Sequence, residues 1–326
     1  MTDDVPLPRN NPWRKQAMTA LKVAFVAAVL VAGFVFLRGN WGKLSVVLSS
    51  ANLWWLAPAV VAVCLGLSSS MMSWLALWPA FGSHPGVKRG AHVYFVSQLG
   101  KYLPGSVWTI AAQAQMAKES GTSASASVSI SLLALLNSVA TGLAVGVALL
   151  PISSPRLLAE YWWLIPLGVA LLALLAPSVV KTGLGFAGRL LRRDVSKPRY
   201  TWAIVFRTVL PQLTNWSFSG LQLWLILIAL GQDPVKTLVP AIAGFALACA
   251  LGILLIPFPA GVGVREVVIS IMLAGTVEPE VAVLAAVTSR ALFAIGDFGL
   301  AGASLAIGPR GRQSSQGKSR KPKSAS

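Results

Sequence analysis

The sequence predicts an all-α fold: a polytopic membrane helix bundle of about eight spans with one or two broken or re-entrant elements. Three observations predict it. The residues are 55% hydrophobic and only 11% charged, with a mean hydropathy of +0.70, far too apolar for a soluble domain. The apolar residues gather in runs of roughly 20, the length a helix needs to cross hydrocarbon. The 27 Lys and Arg, against 10 Asp and Glu, collect in loops and tails. The positive-inside rule and attraction to anionic lipid account for that excess, so no nucleic acid partner is expected.

Residues 1–17 are polar, carry Pro6, Pro8 and Pro12, and end near Arg14 and Lys15, which predicts a disordered cytoplasmic tail ahead of a membrane domain over 18–308. The first apolar run, Ala20 to Leu37, is too long and too poorly flanked for a cleaved signal, with Arg38 after it, and is expected to be a retained span. The second runs from Leu53 to about Phe81. Trp54 and Trp55 lie at one end and Trp74 and Trp78 near the other, so they are expected as aromatic anchors at opposite interfaces, with core packing the alternative for Trp74. Lys88 and Arg89 mark a cytoplasmic turn.

Residues 91–118 differ. Ala91 to Leu99 is short, Pro104-Gly105 stops it, and Ser106 can cap a second short helix through Gln113 and Gln115 to Lys118. Two half-length helices around a break suggest a re-entrant hairpin, or else a kinked or surface-lying pair. From Ser123 to Leu150, Gly142 and Gly146 form a small face that permits close helix approach. After a loop at 151–160, a span is predicted from Tyr161 to about Val180. The next loop, with Lys181, Arg189, Arg192, Arg193, Lys197 and Arg199, marks the cytoplasm, and part of it can lie as an amphipathic helix on anionic lipid.

The span from Trp202 to Leu230 contains Arg207, Pro211, Gln212, Asn215 and Gln222, suited to a bundle interior as cavity lining or as inter-helix hydrogen bonds. A turn at Gly231–Lys236 leads to the run 238–256, a short span at 262–276 and a last span at 281–307. In that last span Arg290 and Asp297 are seven apart and share a face. The basic tail, 309–326, is expected to be disordered and cytoplasmic, and eight crossings put both termini there.

Two stretches interrupt this apolar order, Gly100-Lys101-Tyr102-Leu103-Pro104-Gly105-Ser106-Val107-Trp108 and Pro257-Phe258-Pro259-Ala260-Gly261-Val262-Gly263-Val264-Arg265-Glu266. Irregular backbone and ionisable groups are costly in hydrocarbon and persist where protein or a cavity surrounds them. Corresponding interruptions in two halves of a chain point to a transporter site near the membrane middle. Helix starts after Gly105 and Gly261 favour an anion, Gly261 and Gly263 let it approach the backbone, and Lys101 and Arg265 supply full charge. Glu266 projects away from Arg265 and suits Arg290 as partner. A charge network that only locks the final helices together is the structural alternative.

No enzyme chemistry is legible. The acids form no metal-binding cluster, His84 and His92 lack a nearby carboxylate, and Cys64 and Cys249 sit singly in apolar runs. No metal or cofactor is expected.

The segments Gly100 to Trp108 and Pro259 to Glu266 resemble the two hallmark motifs, GKYxPGxxW and PGGxGxRE, of the lysylphosphatidylglycerol synthase transmembrane-region family, with Ala260 where Gly is more usual. The resemblance extends over most of residues 20–307. It implies a flippase-like domain of the cell membrane that moves phospholipids or lipid-linked sugars between leaflets. Lys101, Tyr102, Pro104, Gly105, Gly261, Gly263, Arg265, Glu266 and Arg290 are then candidates to bind an anionic headgroup, and Glu266 and Asp297 are candidates to couple flipping to protons. Bifunctional members add a soluble aminoacyl-transferase domain. Here the chain runs only from Gly308 to Ser326 beyond the last span, so that chemistry is not expected. The alternative is a scaffold for a cell-envelope glycosyltransferase or lipid-modifying enzyme.

Overall fold

The computed structural model describes residues 51–102, 108–118, 123–190, 198–254 and 263–307, with isolated positions between 38 and 49. The predicted first span, both tails, Pro104, Gly105 and Gly261 lie outside these residues. Among the described residues every regular element is helical.

Helix α1, Leu56–Leu75, is introduced by a 3₁₀ turn, Leu53–Trp55, where the Asn52 side chain accepts a hydrogen bond from Trp54 N at 3.3 Å. A second 3₁₀ turn, Trp78–Phe81, stops at Gly82, whose φ of 74° suits glycine. Trp54 and Trp55 are exposed, as anchors would be. Trp74 and Trp78 are instead buried, edge-to-face at 5.0 Å, with Trp74 5.4 Å from Tyr94. They are core residues because the next helix, α2 (Val87–Gln98), folds back over that end of α1. A 3₁₀ turn, Leu99–Tyr102, precedes the first break, and α3 spans Trp108–Lys118.

Helix α4, Ala124–Ser153, begins at Ser123, whose Oγ accepts from Ala126 N at 3.2 Å. Gly142 and Gly146 serve as expected: a Cβ there would come within 2.9 Å of Trp216 Cζ2 and 2.2 Å of Leu247 Cγ. After α5 (Pro155–Glu160) the predicted span at 161–180 proves to be two helices, α6 (Leu164–Ala173) and α7 (Pro177–Leu190), bent by 76°. Proline causes the bend. Leu175 and Ala176 close 3₁₀ bonds onto Leu172 and Ala173, and Pro177, which has no N–H to extend the helix, starts the next one.

Helix α8, Trp202–Ala229, runs antiparallel to α1: Asn52 N donates to Ala229 O at one end and Arg199 N to Ala80 O at the other, both 2.8 Å. Its polar residues turn inward. Ser73 Oγ and Asn137 Nδ2 donate to the Thr208 carbonyl, just before Pro211, at 2.8 and 3.2 Å, Gln212 reaches Ser138, and Ser289 Oγ donates to Gln222 at 3.0 Å. Of the side chains offered by sequence, Gln212 and Gln222 thus make inter-helix hydrogen bonds, while Asn215 accepts from Ser219 of its own helix at 3.4 Å. Arg207 departs from the expected interior row and is exposed. As the sixth residue of α8 it lies within reach of the helix end, where a long cation can keep its head in water.

A turn at Gly231 (φ 76°) leads to α9, Pro234–Leu254, then α10, Val264–Leu273, and α11, Pro279–Ile307. Among the described residues four segments, Leu53–Phe81, Ser125–Ser153, Pro234–Leu254 and Pro279–Ile307, are long and apolar enough to cross a membrane, five if the bent pair is one span. The 28 residues of α8 have the length but are more polar. The short predicted span at 262–276 is not a full crossing helix: ten residues rise only about 15 Å, half the hydrocarbon thickness.

Candidate functional site

Helix α11 is the common partner of the two broken elements. Arg290, Phe293 and Asp297 follow at helical spacing on one face. The first broken element arrives with Lys101 and Tyr102 at the end of its 3₁₀ turn. Lys101 Nζ pairs with Asp297 Oδ2 at 2.5 Å, and Tyr102 Oη donates to the same oxygen at 2.7 Å. Asp297 is only 2% exposed, so two donors on one oxygen are what allow a carboxylate to be buried there. The Tyr102 ring stacks on Phe298 at 5.4 Å.

The second element arrives with α10. Gly263, at φ 88°, is the N-cap, and Glu266 three residues on reaches back to accept from Gly263 N at 2.8 Å. The other carboxylate oxygen of Glu266 takes Arg290 Nε at 3.2 Å. The Glu266–Arg290 pair suggested by helical projection therefore forms. The N-terminus of α10, expected to be open to an anion, already has one N–H occupied by the chain's own carboxylate. Lys101, expected to offer its charge to a ligand, is paired with Asp297.

Arg265 points the other way. Its guanidinium carbon lies 4.3 Å from the Phe245 ring centroid and 5.2 Å from that of Phe293, and these rings stack at 5.3 Å with 19° between planes. Nε and Nη2 are buried and have no hydrogen-bond partner among the described residues. Those two nitrogens form one edge of the guanidinium plane, the fork that grips two oxygens of a carboxylate or phosphate. Tyr102 lies within electrostatic reach of Arg265 and Arg290, and Cys249 within reach of Lys101, Arg265, Arg290 and Glu266. Among the described residues, Glu266 pairs with Arg290 and Asp297 with Lys101.

The structure brings Lys101, Tyr102, Gly263, Arg265, Glu266, Arg290 and Asp297 into one region. Sequence reasoning missed Phe245, Phe293, Phe298 and Cys249. Phe293 carried a signal, standing between Arg290 and Asp297 on their face; Phe245 carried none, being one apolar residue in an apolar helix. No group of three His, Cys, Asp or Glu able to hold a metal ion occurs among the described residues.

No curated protein matches the chain. The family model described as "Lysylphosphatidylglycerol synthase TM region" matches residues 19–296, a range that takes in both broken elements and the α11 face as far as Gly296, and the chain belongs to that family.

Proposed function

We propose that this membrane protein carries an anionic lipid headgroup, a phospholipid phosphate or lipid-linked sugar phosphate, past the two broken elements while the acyl chains stay in the bilayer. The observation that carries the reading is Arg265, a half-buried cation just after the second break, whose buried Nε and Nη2 form a bidentate fork without a partner among the described residues. Burying an unpaired guanidinium is costly, and a phosphate oxygen pair is the group that relieves it with two charge-assisted bonds. The Glu266–Arg290 and Lys101–Asp297 pairs hold the flanking elements in place.

Chain course supports a hairpin entering from one side. The end of α1, where α2 begins, lies beside residue 199 at the basic loop, and Gln113 of α3 accepts from Ser131 in the first turns of α4. In this reading α2 and α3 dip into the membrane and return to the basic, cytoplasmic face, the protein sits in the cell membrane, and both termini are cytoplasmic. Transport needs no covalent chemistry from the chain, so the protein is not an enzyme.

The test is flipping of fluorescent phosphatidylglycerol in proteoliposomes. Arg265→Gln is expected to slow it at least about tenfold, the scale of one lost charge-assisted contact, with folding intact by size-exclusion and thermal melting. Unchanged flipping would overturn the headgroup role, and no flipping by the parent protein would favour a scaffold.

A further inference from the structure

Within the cluster, Arg290 is held by a carboxylate and Arg265 is held by aromatic faces. We propose that Phe245 and Phe293 are the positioning residues of the anion site: they hold the Arg265 guanidinium beside their rings and leave its Nε/Nη2 edge and its charge available to a phosphate. This rests on the headgroup reading of Arg265. Three observations carry it. The carboxylate nearest in sequence, Glu266, is occupied on one oxygen by Arg290 and on the other by Gly263 N. The two rings come from different helices, α9 and α11, and stack nearly parallel, so one surface spans both helices. The guanidinium carbon lies 4.3 and 5.2 Å from the two ring centroids, and the two atoms without a partner among the described residues, Nε and Nη2, share one edge of the guanidinium.

The physical distinction is between attraction and neutralisation. A carboxylate beside Arg265 would fill the fork and cancel the charge. A ring face attracts the cation through its quadrupole but carries no net charge, so the field at the guanidinium edge survives. Phe293 also stands between Arg290 and Asp297 on α11, so displacement of that helix would alter both latches and the aim of Arg265 together.

The experiment is a titration of the full-length protein in detergent with phosphatidylglycerol and, separately, with uncharged diacylglycerol, read by native mass spectrometry. Phe245→Met and Phe293→Met keep volume but remove the ring face, and Phe293→Tyr keeps a ring. Each Met variant is expected to weaken phosphatidylglycerol binding about threefold to thirtyfold, the range a cation–π contact commands, with diacylglycerol binding unchanged and Tyr retaining the parent affinity. If one Met variant fails to fold, the other decides. Parent-like phosphatidylglycerol binding by the folded Met variants, with Arg265→Gln still deficient, overturns the positioning role and leaves the headgroup reading standing. Equal losses in the Met and Tyr variants, or equal losses for both lipids, also overturn it, because packing would then be the cause. Parent-like binding by Arg265→Gln removes the underlying reading itself.

Discussion

At the scale of single residues, Asp297, buried, and Arg265, half-buried, hold their charges in two different ways. Asp297 is compensated within the chain by Lys101 and Tyr102 on one oxygen; among the described residues, Arg265 is met by ring faces. The first arrangement fastens the 3₁₀ turn to α11, and the second is the one on which the proposed headgroup role rests. Asp297→Asn should therefore destabilise the fold by about 1–3 kcal/mol: breaking a buried pair costs more, but the Lys101 side chain, 37% exposed, can return to water. Thermal melting in detergent reads that loss, and hydrogen exchange should locate it in the 3₁₀ turn that carries Tyr102. A parent-like melt would mean that the fastening is energetically idle. Of these residues Lys101, Arg265 and Glu266 stood out in the sequence because charge beside Pro and Gly is conspicuous in apolar surroundings. Their pairing did not, since Asp297 is almost 200 residues from Lys101.

At the scale of elements, caps and prolines explain where helices begin and bend. Asp233 precedes Pro234 and accepts from Val235 N at 2.8 Å and Lys236 N at 3.2 Å, an N-cap with Pro in the first helical position. Those N–H groups, with smaller help from the Lys236 charge, hold the Asp233 carboxyl below its ordinary range. A folded-state pKa lower than the unfolded one stabilises the cap above the unfolded value, and the contribution is lost as pH falls through the folded value. Amide exchange at Val235 and Lys236 should thus quicken in acid, below the usual carboxylate range, and Asp233→Asn should remove that pH dependence while keeping a cap. A profile unaffected by the substitution would assign the effect elsewhere. The 76° bend between α6 and α7 has the same kind of origin, with Pro177 at the start of α7. Uniform hydropathy around it concealed the bend, because apolar residues suit a straight span and a broken one equally.

For the whole molecule, α1 and α8 run antiparallel, and Arg199, just before α8, lies beside Ala80. Under the positive-inside rule that end is expected to face the cytoplasm. A single cysteine introduced at Ser83 should accordingly be labelled by an impermeant maleimide only after permeabilisation, and one at Gln232 in intact cells; the reverse pattern would invert the topology. Composition by itself determined that the chain is an all-helical membrane protein, because a bilayer accepts runs of about 20 apolar residues in essentially one conformation. The Pro and Gly breaks were equally plain, since these residues end helices through local backbone chemistry. Only the tertiary structure decided which charges are spent and which remain. Helical periodicity places residues on faces of their own helix, but the partner of each face, Lys101 on Asp297, Glu266 on Arg290 and two phenylalanine rings on Arg265, follows from how α9, α10 and α11 pack together.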